Sequence, residues 1–389
     1  MEQSVDTGPC VAIADDLTGA CEIAGVAWRR GLSATVTLDP ATIPEFGEWL
    51  VIDSETRLLR PLDAARTLTT IGNRLADRPV AFLYKKTDSV LRGPVAAELE
   101  ALVAAHGFDR VLLVPGNPGL GRLVREGRLT IDGVPLHQTP FAHDPHHPAR
   151  SDHVIDLLGP TTNLAVRCAA PSDPLEDGTL TVGNAASPAD LDGWARRLSL
   201  DTLAAGGAAW FDAILANRGH DVRNQEPAPS TDGPVLLLSG TTAGPQRERV
   251  ASSPYAELLP MEELDQGRAF AWLQRVQLRL NRHGRACVGV HGAVAPERAA
   301  QVRAALAAAG LRAVRDIGVH HLVIEGGATA AAVLRVLKWQ TLRTCHVWSP
   351  GVVTLCPLEA PDRLITLKPG SYPWPESLQQ LLFGAHPVS

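Results

Sequence analysis

Short apolar runs alternate with longer segments of helical spacing along most of the chain. In the first half, each apolar run is followed by polar residues and then by apolar residues three and four positions apart. This strand-then-helix order predicts a largely parallel sheet covered by helices. The predicted strands are Cys10–Ala14, Trp49–Asp53, Val80–Tyr84 and Arg110–Val114, and the predicted helices are Leu62–Leu75, Pro94–Ala105 and Ala189–Leu198.

One antiparallel insertion interrupts this pattern. Within Arg128–Leu136, the pair Asp132-Gly133 separates two apolar stretches. An Asp-Gly pair in this setting favours the tight turn of a hairpin, because both positions tolerate a positive φ.

A polar stretch divides the chain. Residues 218–234 contain proline and glycine without apolar periodicity, which is typical of a linker. We predict two domains, 1–222 and 235–389, joined by a linker at 223–234. We expect both to be α/β with largely parallel sheets, and we expect a cleft between them to hold substrate and nucleotide. The strands predicted for the second domain are Val235–Leu238, Ala286–Val290, His321–Ile324 and Leu364–Leu367, and its predicted helices are Pro296–Ala309 and Ala330–Leu337.

Composition excludes several function classes. A net charge of −6 argues against nucleic acid as a partner. The six cysteines are scattered without a CxxC pair, which favours reduced thiols. The first residues lack the basic and apolar regions of a signal peptide, and no apolar run approaches the ~20 residues of a membrane span. We therefore expect a cytoplasmic enzyme that does not bind a membrane.

Two adjacent carboxylates, Asp15 and Asp16, end the first predicted strand. Ligands bind at this end of strands in open α/β sheets. The alternative interpretation is that Asp16 or Thr18 only caps the following helix. Because Asp53 and Arg57 end the second strand in the same way, parallel strands would bring these groups to one rim.

The third strand ends in Lys-Lys-Thr-Asp-Ser-Val-Leu-Arg-Gly, residues 85–93. Lys85, Lys86 and Arg92 concentrate positive charge near a helix start, which suits a carboxylate or phosphate. Asp88 and Ser89 could bind sugar hydroxyls. The alternative is a solvated turn with a capping residue.

Other motifs point away from common nucleotide folds. Glycines 116, 119 and 121 do not form G-x-G-x-x-G, and no Walker A motif occurs, which disfavours a dinucleotide enzyme and a P-loop kinase. The His143-Asp-Pro-His-His147 segment invites a metal interpretation. Its two prolines make an irregular loop in which no helical H-x-x-x-H face is evident, so we favour a polar loop near the cleft.

Five segments, in the same order, resemble motifs of the four-carbon acid sugar kinase family. They are ADDLTGA, KKTDSVLRG, VPGNPGLGR, DGVPL and HDPxxPxxS. The resemblance implies an N-terminal domain that binds an acid sugar and a C-terminal domain that binds ATP. The acid-sugar residues that it implies are Asp15, Asp16, Thr18, Arg57, Lys85, Lys86, Asp88, Ser89, Arg92 and Gly93. The ATP residues that it implies are Ser239, Gly240, Thr241, Gly326, Gly327, Thr329, Lys368 and Gly370.

These second-domain segments follow predicted strands and contain small residues, which expose backbone N–H groups to phosphate. Lys368 could neutralise phosphate charge. One departure is Ala328, which stands where the family has an acidic residue in GG(D/E)T.

The resemblance implies an ATP-dependent kinase that phosphorylates a terminal hydroxyl of a tetronate or 3-oxo-tetronate. We expect Asp16 to be the general base, with Asp15 as the alternative, and Arg92 and Lys86 to hold the substrate carboxylate. Mg²⁺ would accompany ATP, and the sequence does not identify its protein ligands. The expected partners are a sugar acid and ATP, and a homo-oligomer is compatible with the sequence. The alternative function is a non-catalytic or regulatory binder of sugar acids, suggested by Ala328.

Overall fold

The computed structural model describes residues 9–76, 78, 80–223, 227–229, 233–241, 244–265, 269–292, 294–370 and 372–384. Internal contacts divide the chain into two units, residues 1–223 and 224–389. Parts of the predicted linker, residues 224–226 and 230–232, lie outside the described residues. Both units are α/β with mostly parallel sheets, as predicted, whereas the cleft stays a prediction. No helix in the described part is long and apolar enough to cross a membrane.

The first unit is built on a fully parallel sheet with the strand order β2-β3-β1-β4-β11-β5-β10-β9. Its central strands are buried on both faces, so they read as continuous apolar runs. The strands are β1 (Cys10–Ala14), β2 (Ala34–Thr37), β3 (Trp49–Asp53), β4 (Phe82–Lys86), β5 (Arg110–Val114), β6 (Arg122–Arg125), β7 (Arg128–Ile131), β8 (Val134–Pro135), β9 (Ala165–Ala169), β10 (Thr179–Gly183) and β11 (Thr202–Gly206). The helices are α1 (Leu17–Arg29), α2 (Pro61–Ala76), α3 (Val95–His106), α4 (Val154–Leu158), α5 (Pro188–Arg196) and α6 (Ala208–Asn217).

Strand β4 corrects a predicted boundary. The apolar run predicted a strand that ends at Tyr84, but the strand continues through Lys85 and Lys86. All five residues of β4 are buried. The lysines can extend a buried strand because each finds a carboxylate partner, which apolar periodicity does not reveal.

The predicted hairpin is present. Strands β6, β7 and β8 form a small antiparallel sheet after β5. Asp132 and Gly133 connect β7 to β8, with φ angles of 51° and 82°. Two consecutive positive φ angles match the tight turn expected from an Asp-Gly pair.

The second unit has the strand order β13-β14-β12-β15-β18-β17-β16. The first five are parallel, and β17 and β16 add antiparallel strands at one side. The strands are β12 (Val235–Ser239), β13 (Ala256–Leu259), β14 (Arg285–Val290), β15 (His321–Glu325), β16 (Thr341–Ser349), β17 (Val352–Pro357) and β18 (Leu364–Lys368). The helices are α7 (Gly244–Ala251), α8 (Met261–Asp265), α9 (Ala269–His283), α10 (Ala299–Arg312), α11 (Gly327–Leu337) and α12 (Glu376–Phe383).

Candidate active site

Three neighbouring strands bring the predicted acidic and basic groups of the first unit together. Strand β1 lies between β3 and β4, and all three are parallel. Ala14, the last residue of β1, pairs with Asp53 on one side and Lys86 on the other. The carboxyl ends of the three strands therefore form one rim, as the sequence predicted.

Arg57 joins the two carboxylates that follow β1. Its Nε and Nη2 donate to the two oxygens of Asp15 at 2.7 and 2.8 Å, and Nη1 donates to Asp16 Oδ2 at 2.6 Å. Burial by itself would raise the pKa of Asp15, but the charge and hydrogen bonds of Arg57 hold it below its ordinary value. Asp15 is thus fixed as an ionised, fully paired carboxylate.

Asp16 caps helix α1 and also accepts a hydrogen bond from Thr18. Its Oδ1 accepts the backbone N–H of Gly19 at 2.8 Å, so it caps α1, and its Oδ2 accepts the Thr18 hydroxyl at 2.6 Å. Its side chain is nevertheless 25% exposed, against 1% for Asp15. The capping interpretation is therefore correct, and it leaves Asp16 as the more accessible of the two carboxylates.

Asp53 is a buried carboxyl at the same rim. Its Oδ1 accepts the Glu55 N–H at 3.0 Å, while Oδ2 has no hydrogen-bond partner among the described residues. Burial raises the pKa of Asp53 well above its ordinary value, and the nearby Asp16 and Asp15 charges raise it further. Asp53 is therefore harder to ionise than an exposed carboxyl, whereas Asp15 beside it is ionised.

The two lysines of β4 point to opposite faces of the sheet, as successive strand residues do. The Lys85 ammonium is fully buried and lies 3.0 Å from Glu98 Oε2, while the Lys86 ammonium lies 3.3 Å from Glu22 Oε2. A β-carbon at Gly19 would lie 3.4 Å from Lys86 Nζ, so Lys86 is next to the first turn of α1. Lys86 belongs to the rim, whereas Lys85 lies beneath it.

Within the loop after β4, Arg92 forms an ion pair with Asp88. Two guanidinium nitrogens of Arg92 donate to the two oxygens of Asp88 at 2.9 Å each, and Nη1 donates to Asp144 at 3.0 Å. Burial by itself would raise the pKa of Asp88, but Arg92 and Arg57 hold it well below its ordinary value. Gly93, with φ of 96°, follows Arg92 and passes close to the backbone of Arg57.

The histidine-rich loop contacts the residues of this rim. Asp144 accepts the backbone N–H groups of His146 and His147, and the His147 imidazole lies 2.8 Å from the Arg57 carbonyl oxygen. Within the described ranges, no three His, Cys, Asp or Glu residues are placed to hold a metal ion. The segment therefore fixes the backbone of Arg57 and the guanidinium of Arg92.

In the second unit, one carboxylate connects three strand ends. Glu325, the last residue of β15, accepts the Ser239 hydroxyl at 2.6 Å and the Lys368 ammonium at 2.7 Å. Ser239 and Lys368 end the flanking strands β12 and β18. Lys368 also donates to the Pro369 carbonyl oxygen at 3.0 Å and lies 4.9 Å from the centre of the Trp374 ring. The Lys368 ammonium is thus already paired with a buried carboxylate, and its phosphate contact stays a prediction.

The glycines of this unit let the loops approach helix α11 closely. A β-carbon at Gly240 would lie 2.3 Å from the Thr329 hydroxyl, and Gly326 has a φ of 97° that favours glycine. Gly327 begins α11, and the Gly326 N–H donates to the Lys368 carbonyl at 2.9 Å. Nothing lies within 4 Å of a β-carbon at Gly370. Thr241 directly follows Gly240.

Comparison with known proteins identifies the family. The sequence model of a sugar-binding N-terminal domain matches residues 10–213. The chain is 30% identical over 370 residues to a D-threonate kinase of Bordetella bronchiseptica, covering 85% of this chain and 86% of that protein. The chain belongs to the four-carbon acid sugar kinase family.

Further relatives agree in family and fold. A 3-oxo-tetronate kinase of Cupriavidus necator is 25% identical over 431 residues, covering 96% of this chain and 97% of that protein. A solved structure from Salmonella typhimurium, described as a putative tRNA synthase, has a TM-score of 0.79 at 20% identity. It covers 96% of this chain and 98% of that one, and it shows the fold alone.

Sequence reasoning missed several acidic residues that pair with the predicted cations, among them Glu22, Glu98, Asp144 and Glu325. Glu325 precedes the Gly326-Gly327 pair, and its position at a strand end beside two glycines was a usable signal. Glu98 shares the apolar face of α3 with Val95 and Leu102, where an acidic residue is unexpected. Asp144 lies in the HDPxxPxxS motif, but its contact with Arg92, 52 positions away in the sequence, could not be predicted from that motif.

Proposed function

We propose that this protein is an ATP-dependent kinase that phosphorylates a terminal hydroxyl of a four-carbon acid sugar, a tetronate or a 3-oxo-tetronate. The observation that carries the proposal is the partly exposed Asp16 carboxylate, fixed by Arg57 and Gly19 at the shared rim of three parallel strands. The names of the kinase relatives support the same chemistry.

In this proposal the chain's residues position and deprotonate the acceptor. Asp16 Oδ2 accepts the proton of the attacking hydroxyl, and the Arg57 guanidinium stabilises the charges of both aspartates. Asp15 is the weaker candidate base, because its side chain is 1% exposed against 25% for Asp16, although the oxygens of both carboxylates already accept hydrogen bonds. Phosphoryl transfer of this kind depends mainly on positioning and charge stabilisation.

We propose the second unit as the ATP site. The proposed residues lie at strand ends and at the start of α11, where the backbone N–H groups of a helix N-terminus suit phosphate. They are Ser239, Gly240, Thr241, Gly326, Gly327, Thr329 and Gly370. Mg²⁺ is proposed only as the ion that ATP carries. The described residues offer no cluster for it, so no step is assigned to a protein-bound metal.

The test is release of ADP from Mg-ATP with a panel of four-carbon acids, using the wild type, Asp16→Asn and Asp63→Asn. Asp63 is a matched control, because it is partly exposed and its described ion pairs are with the exposed side chains of Arg60 and Arg66. We expect Asp16→Asn to lower kcat by about 10²–10⁴-fold while the fold survives, and Asp63→Asn to have no effect. Near-normal turnover by a folded Asp16→Asn protein would exclude Asp16 as the base.

A second candidate function is a non-catalytic or regulatory binder of sugar acids. Ala328 favours it, because the first turn of α11 carries no acidic residue. Such a binder would be stabilised thermally by a sugar acid and would release no ADP with any member of the panel. ADP release above background excludes this alternative.

A further inference from the structure

The four cationic side chains that the sequence assigned to the sugar site all face carboxylates in the structure. These ion pairs are Arg57 with Asp15 and Asp16, Lys85 with Glu98, Lys86 with Glu22, and Arg92 with Asp88 and Asp144. A substrate carboxylate that approached any of these cations would also approach the negative charge that the cation already neutralises. The recognition of an anionic sugar therefore needs a different positive group.

Arg122 has a different environment. Its Nη1 donates to the hydroxyl of Ser89, which is neutral, and no described carboxylate forms an ion pair with its guanidinium. The Arg122 side chain is partly exposed. Because an arginine carries five N–H donors and stays charged, a guanidinium that bonds one hydroxyl keeps donors for a carboxylate.

The backbone fixes Arg122 at the right edge of the sheet. Arg122 begins β6, and its N–H and C=O both pair with Asn117, at 3.1 and 2.8 Å. Gly121 precedes it with a φ of 64°. The loop that contains Asn117 follows β5, so it starts at the same edge of the sheet as the Asp88–Ser89 loop after β4.

The strand between these two loops contributes no side chain. Strand β11 lies between β4 and β5 and ends in Gly206, followed by Gly207. A β-carbon at Gly206 would lie 2.1 Å from the Val114 carbonyl oxygen, so only glycine fits there. Ser89 and Arg122 can therefore meet across the end of β11.

We propose that Arg122, together with the hydroxyl of Ser89, binds the carboxylate of the four-carbon acid. This inference rests on the proposed function and names the group that selects an acid over a neutral sugar. Arg122 takes the role that the sequence suggested for Arg92 and Lys86. The charges of those two residues stabilise the loop after β4 and the rim. A guanidinium recognises a carboxylate with two parallel N–H···O bonds, which a lysine cannot reproduce.

The experiment compares Arg122→Met and Arg122→Lys with Arg125→Met, a matched control at the exposed end of the same strand. Substrates are D-threonate or D-erythronate and the corresponding neutral tetritol, and the readouts are KM and kcat for each and the KM of ATP. We expect Arg122→Met to raise the KM of the acid by about 10–100-fold. The selectivity for acid over tetritol should fall by the same factor, with the KM of ATP unchanged.

Thermal stabilisation by the same acids gives a readout that does not require turnover. If the wild type is stabilised by an acid but transfers no phosphate, the kinase proposal fails. The Arg122 inference then stands only if Arg122→Met abolishes that stabilisation. A folded Arg122→Met protein with unchanged KM and unchanged acid-induced stabilisation overturns the inference alone. A wild type that shows neither response to any acid overturns both.

Discussion

The buried ion pair between Lys368 and Glu325 should make the second unit sensitive to the loss of either partner. Both side chains are 0% exposed, and Lys368 Nζ lies 2.7 Å from Glu325 Oε1. At an effective dielectric constant of about 20, charges at this distance attract by about 6 kcal/mol. Desolvation of the two ions offsets most of this attraction, so the intact pair contributes little net stability.

Removing only one member of the ion pair should destabilise the second unit strongly. Lys368→Met leaves the Glu325 carboxylate buried, with the Ser239 hydroxyl as its remaining side-chain partner among the described residues. Removing one partner of a buried pair costs about 3–5 kcal/mol. A domain of this size shifts its Tm by about 2–4 °C per kcal/mol, so we expect a decrease of roughly 6–20 °C. Glu325→Gln should destabilise similarly, because it leaves the ammonium uncompensated.

The double variant Glu325→Gln/Lys368→Met removes both charges and should recover to within about 2 kcal/mol of the wild type. Calorimetry and urea denaturation of the wild type, both single variants and the double variant complete the cycle. Arg282→Met, at an exposed position in the last turn of α9, is the control and should change stability by no more than about 0.5 kcal/mol. A coupling energy below about 1 kcal/mol would refute the reasoning.

Two further predictions concern Gly240, after strand β12 of the second unit, and Asp53, at the rim of the first unit. Gly240→Ala should cost about 1–3 kcal/mol and weaken ATP binding, because its β-carbon would lie 2.3 Å from the Thr329 hydroxyl, whereas Gly370→Ala has open space. Equal Tm values for the two alanine variants would contradict this. Burial raises the pKa of Asp53 in the folded state, so between its unfolded and folded pKa values the folded protein holds more protons and loses stability as pH rises. In urea denaturation, the stability of Asp53→Asn relative to the wild type should therefore rise as the pH increases above the ordinary carboxyl pKa, and a difference independent of pH would argue against a raised pKa.

The sequence by itself determined the class of fold and the position of the first rim. Apolar runs such as Cys10–Ala14 and Trp49–Asp53 predicted their strands with the correct bounds, because a strand buried on both faces needs a continuous apolar run. The order of strands and helices predicted parallel pairing, and parallel strands bring their polar ends to one edge. Asp15, Asp16 and Arg57 could therefore be expected to meet.

Only the tertiary structure decided which charges are already neutralised. Lys85 and Lys86 are consecutive in the sequence, yet one pairs with Glu98 and the other with Glu22, because successive residues of a strand face opposite sides of the sheet. Arg122 reaches Ser89 across 33 positions of sequence. Such pairings depend on how strands are ordered and how helices pack on them, and local periodicity contains no information about either.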